Sequence, residues 1–408
     1  MARQIKVGID IGTHHIKTVV SEETRQTSPQ SLHPRIVPKV IGTGISESKG
    51  IHHGYIMNAT EARDSIRASV AEAEHASGAE VKRAYVSVGG IALSGVTSSG
   101  STMTSRADLE VTELDLAKAA EAAEAAIPHG IILNKKIINS VPLEYKADGK
   151  AVWGQPLGLK AQKLEVKMLF LLCQDQHLQS LIKAVEGAGV EVIDVVAAPV
   201  AASFVCLSKK EKKAGSVLAN IGAETLSIVV YENDTPISVE VFPIGGTDIT
   251  NDIALGLKVS LEEAESIKRG AVTNASFSKK KLDDIINARL SDCFELIEGH
   301  LRKIGRNALL PAGIFITGGS ALLNNVEELA GTSLKLPAKV AEIRFGDVDQ
   351  KENRSKDPAW SVAYGLAAYG FIAADERGGI GPSSIDVFTA KGKSFWQKLK
   401  GLSSQFLP

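Results

Sequence analysis

The chain repeats itself at long range. Residues 7–20 read VGIDIGTHHIKTVV, and residues 217–230 read VLANIGAETLSIVV. At a constant offset Asp10 stands over Asn220, Gly12 over Gly222, and Val19-Val20 over Val229-Val230. Each copy is an apolar strand, a small turn centred on glycine and a second β-branched strand, which is the pattern of a β-hairpin. A spacing of about 210 residues is too long for a solenoid and predicts two similar halves of one fold. Chance resemblance between two ordinary hairpins is the competing explanation, and the rest of the chain has to decide between them.

Length and composition narrow the options. At 408 residues the chain exceeds one ordinary domain and suggests two to three. With 44% hydrophobic and 23% charged residues it is globular in composition. The 46 basic and 47 acidic side chains leave a formal charge of −1, which argues against a nucleic-acid binder. Cys173, Cys206 and Cys293 are widely spaced and suit neither a disulfide framework nor a zinc site, as in a reducing cytoplasm. The most apolar stretch, Val190 to Leu207, is interrupted by Glu191, Asp194 and Pro199, so no run reaches the length of a membrane span. The opening MARQIKVGIDIG enters a strand directly and lacks the apolar core of a signal peptide.

Between and after the two hairpins the pattern alternates. Ala59 to Ser77 reads as a helix ended by Gly78, and Leu114 to Ala126 as another stopped by Pro128. Lys82 to Val88, Lys163 to Leu172 and Val190 to Val196 read as strands, with a helix over Gln174 to Glu186. Ser260 to Arg269 and Lys281 to Arg306 are helical, Ile314 to Thr317 is a short buried strand, and Pro358 to Ala373 is a small-residue helix. Asp375 to Ala390, DERGGIGPSSIDVFTA, reads as a flexible linker of about 20 Å reach.

Three glycine elements carry candidate chemistry. In the first hairpin Gly12 permits close approach to an anion, backbone N–H groups can cradle phosphate oxygens, Thr13 adds a hydroxyl and Lys17 a point charge. Asp10, at the end of the strand, is placed to hold Mg²⁺ through water. His14-His15 has no Cys or carboxylate at ligand spacing, so a solvent-facing or hydrogen-bonding role is expected rather than a metal site; His52-His53 reads the same way. The second turn is Asn220, Gly222, Ala223, Glu224 and Thr225. The third, Thr317-Gly318-Gly319-Ser320, is expected to run strand, turn, helix, offering free N–H groups at a helix start. Any one such turn is ambiguous. Three of them, two related by the repeat, favour phosphate cradling from both halves of a cleft. Glu265 and Lys268, three apart on a helix, share a face and suit a ribose or a plain solvated ion pair.

The last eighteen residues are distinct. In KGKSFWQKLKGLSSQFLP, Phe395, Leu399, Leu402 and Phe406 fall on one helical face with Trp396 beside them, and Lys391, Lys393, Lys398 and Lys400 supply charge without any acid. A basic amphipathic helix behind a linker suits an interfacial anchor on anionic lipid. Docking on the body of the protein and a groove in a protein partner are the alternatives.

Together these motifs resemble the actin/Hsp70/sugar-kinase superfamily, and within it the FtsA family of actin-like bacterial cell-division proteins. GIDIGTHHIK looks like the first phosphate loop, NIGAET the second, ITGGSA the adenosine motif, and Glu265 and Lys268 match the ribose-contacting pair. VPLEYKADGK with PLGLKAQKLEVK resembles the FtsA-type 1C segment; VFPIGGTDITNDIALGL, AESIKRGAV and DPAWSVAYGLAAYG also follow the family, and the tail resembles its membrane-targeting helix. The resemblance implies an α/β, two-lobed actin-like ATPase fold of duplicated RNase H-like halves. Its implied parts are subdomain 1A at 1–81 (with 164–213 and about 355–374), 1C at 82–163, 2A at 214–258 (with 311–354), 2B at 259–310, a linker at 375–390 and the targeting helix at 391–408. It further implies ATP and Mg²⁺ as cofactors, self-assembly into filaments, and tethering of the FtsZ ring through its C-terminal tail on 2B. The implied setting is the cytoplasmic face of the membrane at the division site, with anionic lipids and other divisome proteins as partners. Asn220 and Ala223-Glu224 depart from the usual second loop, His14-His15 from the first, and Ala197-Ala198-Pro199 lacks the acid or amide that orients water, so ATP binding with weak or no hydrolysis is expected. A PilM-like pilus-assembly adaptor and a small-molecule kinase of the same superfamily are the alternatives.

Overall fold

The computed structural model describes residues 5–26, 35–271, 277–345 and 357–378. The first half opens with β1 (Ile5–Ile11), β2 (His15–Gln26) and β3 (Arg35–Glu47), an antiparallel meander in which Asp10 lies opposite Lys17. A two-rung hairpin follows, β4 (Ile51–His52) and β5 (Tyr55–Ile56), then α1 (Ala59–Ser77) and β6 (Arg83–Val88). The Asn58 side chain accepts the N–H groups of Thr60 and Glu61, and Gly78 closes α1 in the left-handed region, so both ends expected from sequence hold. β6 runs parallel to β1.

An inserted unit comes next: β7 (Leu93–Met103), α2 (Glu113–Ala125), the single turn α3 (His129–Ile132), β8 (Lys135–Ala147), β9 (Lys150–Val152) and β10 (Lys163–Gln174). Its strands form their own antiparallel sheet in the order β7-β10-β8-β9. α2 lies over one face, where Ala119, Ala123, Leu164, Phe170 and Leu172 share a small core. The expected boundaries of this unit, 82–163, need correction. β6 bonds into the first sheet and β10 into the inserted one, so the inserted sheet runs from Leu93 to Gln174.

The chain then returns to the first half through α4 (Asp175–Gly187), β11 (Glu191–Ala197), α5 (Ala198–Cys206) and α6 (Lys209–Ala214). The second half repeats the first: β12 (Ser216–Ile221), β13 (Leu226–Glu232) and β14 (Thr235–Phe242) form the meander. After α7 (Gly246–Leu257), α8 (Leu261–Lys268) and α9 (Lys279–Lys303), β15 (Gly313–Thr317) adds in parallel, followed by α10 (Val326–Leu334), β16 (Ala338–Val340) and α11 (Ser361–Gly378). The two large sheets have matching orders, β3-β2-β1-β6-β11 and β14-β13-β12-β15-β16. The long-range echo is thus a structural duplication. α11 continues through Gly378, so the first four residues of the expected linker are helical; the remainder of that linker and the whole tail lie outside the described residues.

One apolar core ties the halves together. α5 and α11 cross between the sheets on small side chains, Ala201 and Ala202 against Ala363 and Ala367, with Leu218, Val229 and Phe315 of the second sheet in the same cluster. A Cβ on Gly365 would stand 1.9 Å from the Ala201 carbonyl oxygen, so only glycine permits this crossing. A second core packs α7, α8, α9 and α10 over the second sheet. α9 is additionally pinned to the sheet edge by His300, whose Nε2 lies 2.8 Å from Ser238 Oγ and whose Nδ1 faces Glu240 at 3.6 Å.

Burial lowers the pKa of both His177 and His300 to about 4, well below the ordinary imidazole value. A depressed folded-state pKa means the unfolded chain binds more protons, so this stability is complete above about pH 6.5 and is lost as pH falls toward 4. Each histidine should cost about 1–2 kcal/mol at pH 5. Thermal melts at pH 7 and pH 5 measure the loss. His177→Phe should shrink it, and an unchanged difference between the two melts would refute the assignment.

Candidate functional site

The second half assembles a cradle from four chain segments. The turn after β12 docks on the start of α7, where Gly246 N–H donates to Gly222 O at 2.9 Å and Thr247 N–H to Ala223 O at 2.7 Å. The turn after β15 docks on the end of β12, with Ser320 N–H donating to Ile221 O at 3.2 Å. Gly318 has φ +93°, and a Cβ there would lie 2.3 Å from Asn220 Oδ1 and 2.5 Å from Ile221 O. Gly246 faces Ser320 Oγ and Lys268 Nζ, which a Cβ would meet at 2.6 and 3.5 Å. Gly222, Gly246, Gly318 and Ser320 therefore share one place with Asn220 and Lys268.

The helical pair completes it. Lys268 Nζ is 2.5 Å from Glu265 Oε2, donates to Gly246 O at 2.9 Å and to Thr250 Oγ1 at 2.7 Å, while Thr250 Oγ1 lies 2.6 Å from Glu265 Oε2. Arg269 Nε donates to Glu265 Oε1 at 2.8 Å. Burial raises the Glu265 pKa, but the bonds from Lys268 and Thr250 and the lysine charge outweigh it and hold the carboxylate below its usual range. Burial also lowers Lys268, only partly offset by Glu265. The solvated ion pair is thereby replaced by a partly buried network at the cradle wall.

The first half contributes Asp10. Its carboxylate is buried at the end of β1; Ser87 on β6 donates to its Oδ1 at 2.9 Å, and Ser87 Oγ in turn accepts the Ile11 N–H at 3.0 Å. Burial raises the Asp10 pKa, against the pull of Lys17 and Ser87. Gly12 and Thr13 are half-buried in the turn and His14 is exposed. His14 Nε2 accepts from Arg269 Nη2 of the second half at 3.1 Å. Through this contact the first-half loop reaches the end of α8 in the second half. Among the described residues no cluster of three or more His, Cys, Asp or Glu is arranged to hold a metal directly.

One expectation needs correction. Gly318-Gly319 does not lead straight into a helix: turns that close on Gly318 O and Ser320 O fill the interval, and α10 starts only at Val326. The N–H groups there are partnered, Gly318 with Pro358 O and Ser320 with Ile221 O. The Glu224 carboxylate is engaged by the first half. Its Oε2 accepts the His53 N–H at 2.5 Å and its Oε1 lies 3.4 Å from His52 Nδ1. Sequence reasoning missed Ser87, Gly245-Gly246, Thr250 and Arg269. Of these, the Gly-Gly ahead of a helical pattern was the readable signal.

The two glycines fail differently when substituted. Gly318→Ala meets backbone and a positive φ, and should destabilise by about 2–4 kcal/mol whatever stands at 220. Gly246→Ala meets chiefly the Ser320 hydroxyl, so Ser320→Ala should rescue it. Denaturant melts of the single and double variants decide; rescue of Gly318→Ala by Asn220→Ala would contradict this packing.

Comparison with known proteins agrees with the geometry. The family model described as cell division protein FtsA matches residues 217–365, and the SHS2 domain inserted in FtsA matches residues 90–172. The chain is 30% identical over 392 residues to cell division protein FtsA of Borreliella burgdorferi, covering 90% of this chain and 91% of that one. It is 29% identical to the Bacillus subtilis protein of the same name, covering 90% and 83%. Among solved structures, a PilM-PilN type IV pilus biogenesis complex superposes with a TM-score of 0.64 at 20% identity, covering 90% of this chain and 98% of that one. MreB5 of Spiroplasma citri bound to ADP superposes with 0.52 at 13% identity, covering 92% and 99%, which shows a shared actin-like fold. With its duplicated sheets, its SHS2 insertion and this degree of identity across nearly its whole length, the chain belongs to the FtsA family of cell-division proteins.

Proposed function

We propose that the chain is an ATP-binding, filament-forming adaptor that tethers the FtsZ ring to the cytoplasmic face of the membrane at the division site. The observation that carries the ATP reading is the cradle in which Gly222, Gly246, Gly318, Ser320, Glu265 and Lys268 converge opposite Asp10 and Lys17. The residues fit a nucleotide. Bare backbone lines the cradle where a Cβ would collide, a lysine and a carboxylate flank it, and a buried carboxylate at the other loop is suited to Mg²⁺ held through water. Mg²⁺ would supply charge neutralisation of the phosphates. Backbone N–H groups of the two loops orient the phosphates, Lys17 adds charge, and Glu265 with Lys268 is placed for a ribose.

Hydrolysis on this reading is weak. Asn220 provides no carboxylate, Glu224 is engaged by His52 and His53, and alanine stands at 198, at the head of α5. No side chain there is suited to take a proton from water. The FtsZ C-terminal tail is assigned to subdomain 2B, about 259–310, which holds α8 and α9; further copies of the chain and other divisome proteins are the remaining protein partners. Residues 391–408 serve as the anchor on anionic lipid, through Phe395, Trp396, Leu399, Leu402 and Phe406 with Lys393, Lys398 and Lys400 at the rim. The PilM-like reading draws on the superposition with the PilM-PilN complex, but curated relatives across nearly the full chain favour the division role.

Three measurements test this. The full chain should pellet with anionic liposomes while a chain ending at Ala390 stays in solution; equal pelleting would remove the anchor. Lys268→Ala should weaken ATP binding about tenfold, read by titration calorimetry. Turnover on lipid should remain at least about tenfold below the 1 s⁻¹ floor of ordinary enzymes, and brisk phosphate release would contradict the assignment of Asn220 and Ala198.

A further inference from the structure

The residues that depart from the family's phosphate-loop pattern meet across the cleft. Glu224, at the tip of the second-half loop, reaches the β4–β5 turn of the first half. There its carboxylate takes the His53 N–H at 2.5 Å and faces His52 Nδ1 at 3.4 Å, while its main-chain oxygen lies 3.1 Å from His53 Nδ1. His14, at the tip of the first-half loop, reaches α8 of the second half and takes a guanidinium N–H of Arg269 at 3.1 Å. Each glycine loop thus holds the opposite half, and both holds run from protein atom to protein atom.

Each hold is braced by neighbouring contacts. The His53 turn is built on left-handed backbone, with φ 46° at His53 and 84° at Gly54. His53 O accepts Ile91 N–H at 3.3 Å, and a Cβ on Gly54 would lie 2.5 Å from Gly90 Cα, so the turn is fixed to the loop after β6. Glu224 rides on a loop fastened to α7 through Gly222 O and Ala223 O. The donor is a backbone N–H fixed in this turn, so the hold depends on the Glu224 carboxylate staying across the cleft. On the other side, Arg269 is braced by Glu265, and His14 by Ser48 N–H on its own carbonyl at 3.0 Å and by the His15 ring at 4.3 Å. Burial, then the charge of Arg269, holds the His14 ring toward its neutral form, which leaves a lone pair for the guanidinium.

We propose that the chain carries its own lobe clasp, Glu224 on His52-His53 and His14 on Arg269, which sets closure of the cleft and which nucleotide must open to enter. Only the last clause rests on reading the cleft as an ATP site; closure is measurable without nucleotide.

The test uses the full chain with spin labels at Lys49→Cys and Leu255→Cys, two exposed positions on opposite halves. Cys173, Cys206 and Cys293 are buried, with thiols pushed up to about 12, and stay unlabelled. Pulsed dipolar spectroscopy of nucleotide-free protein should give one narrow distance. Glu224→Ala and Arg269→Ala should each broaden it and lengthen it on the order of 5 Å, as in hinge opening. Glu224→Gln, which keeps an acceptor for the His53 N–H, should stay near the parent. A fluorescent ATP analogue should enter the alanine variants at least about tenfold faster. A parent as broad as the variants, or one that narrows only on adding ATP, overturns the clasp. If Glu224→Ala loses its cooperative melt, Arg269→Ala on the rim decides alone. If no nucleotide binds yet the distances behave as stated, the clasp stands and the ATP reading falls.

Discussion

The crossing of α5 and α11 is the constraint on which the rest depends. Two five-stranded sheets can face one another across a crevice only if whatever joins them is thin and rigid. Here the junction is made of alanines and of Gly365, whose α-carbon lies against the Ala201 carbonyl. Any larger side chain at the crossing would force the sheets apart or tilt them. Backbone-to-backbone packing has few ways to relax, so the crossing fixes where β1 and β12 end. The loops at those ends are then fixed relative to the opposite halves they touch, and what sits at their tips decides those contacts.

Those tips are electrostatically asymmetric. The first-half loop buries an acid, Asp10, whose carboxylate is desolvated and held by one serine hydroxyl at Oδ1. The second-half counterpart is Asn220, an amide whose Oδ1 lies beside Gly318. The basic side chains are likewise divided, Lys17 opposite Asp10 in the first hairpin and Lys268 on α8. Charge for an anion thus comes from both halves, but a buried acid comes only from one.

How far the sequence reads ahead depends on whether a feature is local. The duplication was legible because hairpin patterns are set by alternation and a glycine turn, and both copies keep them. α1 was legible to the residue because Asn58 and Gly78 cap it. The inserted sheet was read only in part. Lys163 to Leu172 was recognisable, but β8, with its mixed burial, showed no clean alternation, although the Asp148-Gly149 turn that joins it to β9 carries the left-handed backbone of a tight hairpin. The site was legible where residues sit on its own loops. Ser87 and Thr250 were not, since each matters only through a neighbour far away in sequence, Asp10 for one and Glu265 for the other. The delay of α10 to Val326 was missed because Gly-Gly followed by apolar residues resembles a helix start while the turns here close on themselves.

The oddities of the sequence also explain one another. His14-His15, His52-His53 and Glu224 each look misplaced when their segment is read alone, and a glutamate beside a phosphate loop looks unfavourable. In the fold the Glu224 carboxylate reaches the opposite half, where it accepts the His53 N–H and faces the His52 imidazole. The histidine at 14, held toward its neutral form by burial and paired with Arg269, occupies the equivalent place on the other loop. A loop that spends its tip residue on the opposite half cannot also use it to orient water. The departures at 14 and 224 therefore share one structural consequence, a contact from each glycine loop to the opposite half.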